Sequence, residues 1–229
     1  MGICLLLLQG TAMTVELQKI TSGPFQTNSY VILSTSSREA VVVDPAPESA
    51  DKIFSLLEKK QKNLSAIWIT HSHWDHTADC HFLLQERKVP VVVHKYDADN
   101  LQTPGTDGLP CYVDMQPVTP SRYVKDGDTL TVGKSNWRVI HTPGHSPGSV
   151  CFYNEEDDVL LSGDTLFATT MGNISFPTSS PHLMGTSLFR LSTLPPQTKV
   201  FPGHGEATTI GQERSWMLDA AEGLSEEKR

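Results

Sequence analysis

With 229 residues, 38% of them apolar and 19% charged, the chain has the make-up of a folded globular protein with room for a sizeable core. A formal net charge of -8 without any cluster of Lys or Arg excludes a partner that is held by its phosphates, so no nucleic acid is expected. The four cysteines, Cys4, Cys80, Cys111 and Cys151, are far apart and form no C-x-x-C pair, which fits reduced thiols in a cytoplasmic protein rather than a disulfide framework.

At the N-terminus the apolar run of residues 3–8 is too short to span a bilayer, and it lacks the positive flank and cleavage site of a secretory leader. No membrane association is expected. Residues 1–13 read as an extension with Met13 as the natural start, and residues 14–229 as one domain. From Val15 onward the pattern is of short strands at 15–20, 29–33 and 40–43, split by Gly, Ser and Asn turn signals and stopped at Asp44-Pro45-Ala46-Pro47. Residues 49–60 carry Ile53, Leu56 and Leu57 at helical spacing, and 65–70 return to a buried strand.

Next comes the densest run of chemistry in the chain, Thr70-His71-Ser72-His73-Trp74-Asp75-His76. Four metal-ligand side chains fall within six residues, and imidazole with carboxylate suits zinc, iron or manganese better than calcium or magnesium. In an extended segment alternate side chains share a side, which would set His71, His73 and Asp75 together and turn His76 away. The spacing differs from the helical His-Glu-x-x-His of zincin proteases.

A helix at 78–87, a strand at 89–93 and a short helix at 96–101 follow. Residues 102–120, rich in Pro and without periodicity, form an excursion. Strands resume at 129–132, 137–140, 149–153, 159–161 and 198–201, with helices at 182–191 and 212–222. Strands then helices in each half imply an α+β fold, two mixed β-sheets packed face to face with helices outside. Three further ligand-type residues sit on loops just past strands: His145 in Thr142-Pro143-Gly144-His145-Ser146-Pro147-Gly148, Asp164 after Ser162-Gly163, and His204 in Pro202-Gly203-His204-Gly205.

The set Asp44, His71-x-His73-x-Asp75-His76, His145, Asp164 and His204, in this order, resembles the metallo-β-lactamase superfamily, and Thr142–Ser149, Gly163-Asp164-Thr165-Leu166-Phe167 and Pro202-Gly203-His204-Gly205 resemble its glyoxalase-II-like branch. The resemblance implies a four-layer αβ/βα sandwich with two divalent metal ions, zinc foremost and iron or manganese as alternatives, at the edge between the sheets. By it, His71, His73 and His145 hold one ion, Asp75, His76 and His204 the other, and Asp164 bridges them, with Asp75 and Asp164 as the carboxylates on which the chemistry turns. Asp44 would brace the metal loops by hydrogen bonding. His81, His94, His141 and His182 match no ligand position, His141 standing as a candidate outer neighbour of the metals.

Two divalent ions bring about +4 and Asp75, Asp164 and a bridging hydroxide about -3, an excess that lowers the pKa of bound water toward roughly 7 and stabilises an oxyanion. With no general acid visible in the motifs, a leaving thiolate of pKa about 8.5 is favoured over an amine. The expected activity is therefore thioester hydrolysis of the glyoxalase II type, with S-lactoylglutathione the implied small-molecule substrate. Full-length glyoxalase II adds a C-terminal helical domain for which too few residues follow His204, so the chain is similar to the single-domain relatives. Those relatives often carry Gly-Arg-x-Asp-Phe-Pro after the bridging Asp, where this chain has Gly172-Asn173-Ile174-Ser175-Phe176-Pro177, and Asp79 stands where a Gly is usual and would add negative charge near the metals. The alternative is a persulfide dioxygenase with one iron on His71, His145 and Asp164. Lactonase activity and a non-catalytic metal-binding role rank below it.

Overall fold

The computed structural model describes residues 13–226. Twelve strands form two six-stranded sheets. The first runs β1 (Val15–Ser22), β2 (Thr27–Ser34), β3 (Glu39–Val43), β4 (Asn63–Trp68), β5 (Val91–His94) and β6 (Arg122–Val124), in that spatial order. Its first three strands pair antiparallel and its last four parallel, so it is mixed. The second is built from β7 (Thr129–Val132), β8 (Ser135–His141), β9 (Val150–Asn154), β10 (Val159–Gly163), β11 (Lys199–Pro202) and β12 (Thr208–Thr209), all antiparallel except β10 with β11. On the first sheet lie α1 (Ala50–Lys59), α2 (Trp74–Thr77), α3 (Cys80–Glu86) and α4 (Ala98–Gln102), and on the second α5 (Pro181–Ser192) and α6 (Ile210–Glu226).

The period of two explains the layering. In β2, Val31 and Leu33 face the layer of α1 and α3, while Tyr30 and Ile32 face the other sheet; Val42 and Val43 divide likewise in β3. In β9, Phe152 points between the sheets and Tyr153 toward α5 and α6. Strands buried on both faces need unbroken apolar runs, which is why Val41-Val42-Val43 and Val91-Val92-Val93 read as such. At the centre Trp68 packs on Phe152 at 5.2 Å and edge-on to Trp137 at 6.1 Å, a contact worth about 0.5–1.5 kcal/mol per pair beyond the area it buries. The α+β sandwich read from the sequence is the observed fold.

Several local readings change. The helix expected at 78–87 starts earlier and comes in two pieces, α2 and α3, because the chain turns helical at Trp74 directly after an extended His73. The strands β6 and β12 escape sequence reading, being three and two residues long with the exposed pair Arg122 and Tyr123 in β6. The helix expected at 96–101 is a 3-10 turn over Lys95–Asp97 that leads into α4. The extension read at residues 1–13 lies outside the described residues except for Met13. No helix among the described residues is long and apolar enough to cross a membrane.

Asp79 does not lie with the metal-ligand side chains. Its carboxylate accepts the backbone N–H groups of Ser49 and Ala50 at 2.8 Å each, capping α1 from outside, while the side chain of Ser49 makes no cap of its own. Because those amides are buried, Asp79→Ala is expected to cost about 1–2 kcal/mol of stability, read as a lower urea midpoint at unchanged slope.

Candidate metal centre

All the ligand-type residues singled out in the sequence arrive at one edge of the sandwich. Asp44 follows β3, His71 to His76 follow β4, His145 lies between β8 and β9, Asp164 follows β10 and His204 follows β11. Backbone bonds stitch the two sheets at this edge: Val150 N–H donates to Thr70 O at 2.9 Å, and Asn28 N–H to Gly203 O at 2.7 Å.

Two triads form. Ligand atoms of His71, His73 and His145 lie within 4.8 Å of one another, as do those of Asp75, His76 and His204. The purely extended reading of the motif thus holds for His71 and His73 but not for Asp75, because α2 begins at Trp74 and its first turn swings Asp75 to the side of His76. Asp164 stands between the triads: Oδ1 is 3.4 Å from His76 Nε2, and Oδ2 is 3.5 Å from both His145 Nε2 and His204 Nε2. Asp44, His71 and His76 also come within 4.8 Å, but the Asp44 carboxylate is already engaged, accepting Thr70 N–H at 2.7 Å, Thr70 O–H at 2.6 Å and His76 Nδ1–H at 3.0 Å.

The outer bonds fix how each ring faces. His71 Nδ1 meets Thr70 Oγ1 at 3.0 Å, His145 Nδ1 donates to Asn173 O at 2.8 Å and His204 Nδ1 to Phe25 O at 3.0 Å. Each bond places the ring proton on Nδ1 and leaves the lone pair of Nε2 pointing inward. The Nε2 atoms of His71, His73 and His145 and Oδ1 of Asp164 are four of the ten buried side-chain polar atoms without a hydrogen-bond partner among the described residues. Their grouping in one place needs a cause, since orphaned buried acceptors are costly.

A cation held among them would supply that cause. The Nε2 atoms of His76 and His204 face each other at 3.3 Å, and Asp75 Oδ2 lies 3.3 Å from His204 Nε2 and 3.5 Å from His76 Nε2. Two ring nitrogens and a carboxylate oxygen so close repel one another unless a positive charge, a proton or a cation, lies among them. Ligand atoms bound tetrahedrally at about 2.0–2.1 Å from an ion are about 3.4 Å apart, which is the spacing found.

The electrostatics set the two triads apart. Burial pushes His71 well below the ordinary imidazole range and His73 down to about 3, so both stay neutral donors of a lone pair. Burial also opposes charge on His76 and His204, but the Asp75 and Asp164 carboxylates outweigh it and raise both, His204 to about 9. Asp164, although burial opposes its ionisation, is held well below the usual carboxylate range, chiefly by His76.

Glycine lets these groups approach. A Cβ on Gly203 would fall 2.2 Å from Asp164 Oδ1, and one on Gly172 would fall 2.0 Å from Asp164 O and 2.9 Å from His145 Nδ1. Of the remaining histidines, His141 is not an outer neighbour of the ligands: it stacks on His94 at 4.1 Å, and its Nε2 meets Pro147 O at 3.0 Å.

Two residues that the sequence did not single out hold the site. Thr27 O–H donates to Asp75 Oδ2 at 2.8 Å. Asp97, 3% exposed, accepts Ser72 N–H at 2.8 Å, Ser146 O–H at 2.8 Å and Gly148 N–H at 2.6 Å, so one carboxylate clamps both loops of the three-histidine triad.

The metallo-β-lactamase superfamily model matches residues 22–204. The chain belongs to the metallo-β-lactamase superfamily. A solved structure described as BLEG-1 B3 metallo-β-lactamase superimposes with a TM-score of 0.79 at 32% identity, covering 88% of this chain and 99% of that one. A second, TTHA1623 in a di-iron-bound form, gives a TM-score of 0.76 at 34% identity over 86% of this chain and 97% of that one. Among sequences, the hydroxyacylglutathione hydrolase GloC of Haemophilus influenzae is 29% identical over 88% of this chain and 95% of its own length. The superfamily fold with its His/Asp clusters is that of a metallo-hydrolase.

Proposed function

We propose that this metallo-β-lactamase superfamily chain is a thioester hydrolase working with two divalent ions, one on His71, His73 and His145, the other on Asp75, His76 and His204, with Asp164 shared. The observation that carries the reading is the pair of complete triads around Asp164. Bound there, two divalent ions supply Lewis acidity and a water ionised near neutral pH. The chain's own part is to hold seven lone-pair atoms in register, through Asp44, Thr70, Thr27 and the carbonyls of Phe25 and Asn173, so that little reorganisation accompanies the reaction. The ligands' side-chain neighbours Thr27, Asp44 and Thr70 offer no free proton donor: Thr27 and Thr70 already donate to carboxylates, and Asp44 is saturated. A leaving group that departs as an anion, a thiolate, therefore suits the site better than an amine. The name of the Haemophilus influenzae relative points the same way, and the di-iron form of TTHA1623 makes iron a metal to test beside zinc.

Purified protein reconstituted with zinc, iron or manganese is expected to hold two ions and to hydrolyse acyl thioesters, S-lactoylglutathione among them, without consuming oxygen. Chelation should abolish turnover and re-addition restore it. One iron per chain with oxygen uptake on a persulfide, or no thioester turnover with any of the metals, overturns the reading.

A further inference from the structure

Beside the two triads, three aromatic rings from separate parts of the chain meet in a closed triangle. Phe25 lies at the tip of the β1–β2 hairpin, Trp74 opens α2 between the ligands His73 and Asp75, and Tyr112 comes from the excursion after α4. Ring centroids are 5.0 Å apart for Phe25 and Trp74, 5.7 Å for Trp74 and Tyr112, and 6.0 Å for Phe25 and Tyr112, all at tilted or edge-on angles. Trp74 is buried beneath the other two, while Phe25 and Tyr112 remain 50% and 66% exposed.

This wall adjoins the reacting edge, since the carbonyl of Phe25 itself holds His204, the most open of the ligands in its triad. Its placement is also built. Asn100 donates to Ser72 O at 2.8 Å inside the histidine motif and to Asp107 at 2.9 Å, and accepts Gly105 N–H at 3.0 Å, tying the excursion to the metal-ligand segment. Local structure does not require the exposed rings. The hairpin turn closes through Gln26 N–H to Gly23 O at 3.2 Å, with positive φ at Gly23 and Gln26, and asks nothing of the side chain of Phe25. Half-exposed rings grouped beside the backbone carbonyl that holds His204 are the usual chemistry of a surface that takes a flat apolar group.

Charge narrows the choice. Among the described residues, no side chain bonded to the seven ligands and no ring of the triangle is a Lys or Arg, and Lys19, at this edge, is already paired at 3.7 Å with Glu206, two residues past His204, whereas a glutathione thioester brings two carboxylates to be matched. Resting on the thioester reading above, we infer that Phe25, Trp74 and Tyr112 form a specificity subsite for an uncharged, aryl-bearing arm of the thioester, in preference to glutathione.

Two non-hydrolysable probes test the wall apart from turnover: the S-benzyl and S-methyl thioethers of N-acetylcysteamine, titrated calorimetrically into the metal-loaded protein. The benzyl probe is expected to bind about tenfold or more tightly, with the ratio falling about three- to tenfold in Tyr112→Ala and in Phe25→Ala and surviving in Tyr112→Phe. Equal binding of the two probes by the unmodified protein, or an unchanged ratio in both alanine variants, overturns the subsite. Benzoyl-N-acetylcysteamine should likewise exceed S-lactoylglutathione in kcat/KM, and the reverse order also overturns it. Preferential benzyl binding with no hydrolysis of any thioester would leave the subsite standing and overturn the thioester reading instead.

Discussion

Replacing Asp164 with asparagine is expected to lower thioester turnover by about 10³-fold and to cut the metal content below two ions per chain, while the circular dichroism spectrum stays unchanged. Both carboxylate oxygens are in use, Oδ1 toward His76 and Oδ2 toward His145 and His204. Asparagine keeps one oxygen and turns an amide N–H₂ toward ring nitrogens that present lone pairs, or toward the ions themselves. It also removes one of the two ligand carboxylates, Asp75 and Asp164, that would offset the bound ions. Folding should survive, because asparagine keeps the size and shape of the side chain and one of its acceptor oxygens. Near-normal turnover in this variant would remove Asp164 from the centre. Elemental analysis separates the two effects: two ions retained with turnover lost would place the loss in charge rather than in binding.

Much of this site was legible because its ligands are local in sequence or flagged by their loops. His71 and His73 follow an apolar strand, and His145, Asp164 and His204 each sit on Pro- or Gly-rich loops past strands, so these ligand-type residues could be picked out before the topology brought them together. The side to which Asp75 turns was not legible, since it depends on a helix of one turn starting at Trp74, and alternation alone misplaces it. Thr27 was silent for another reason: a lone Thr at a hairpin carries no periodic signal, and its bond to Asp75 exists only because the β1–β2 hairpin folds over the second sheet's edge, where Asn28 N–H reaches Gly203 O. Asp79 shows the opposite error. Nearness in sequence to His76 suggested charge near the metals, whereas the turn between α2 and α3 carries its carboxylate to the N-terminus of α1. Tyr112 lies in a stretch with no pattern at all, and the Asn100 anchor, with the Val118 N–H bond to Leu101 O beyond it, ties that stretch beside Trp74.

The same distinction makes Asp97 the most informative single change outside the ligands. Asp97 and Asp99 lie two residues apart in one short segment, Asp99 exposed, whereas Asp97 is buried and holds three donors, two on Oδ2 and one on Oδ1. These donors belong to Ser72, between His71 and His73, and to Ser146 and Gly148, beside His145. The carboxylate is thus a rigid link between the two loops that carry the three-histidine triad. Burial raises its pKa, and the three bonds work against that rise, as expected of an ionised brace that survives only through its partners. Asp97→Asn keeps the volume but sets an N–H₂ against at least one of the donors. Metal affinity at the three-histidine triad is then expected to fall about 10- to 100-fold, with the affinity at Asp75, His76 and His204 changed much less. Metal titration of the variant should therefore resolve two unequal steps, and excess metal should restore much of the lost turnover. A variant that merely melts earlier, with both steps intact and no gain from added metal, would reduce Asp97 to a packing role, because loss of packing has no reason to single out one triad.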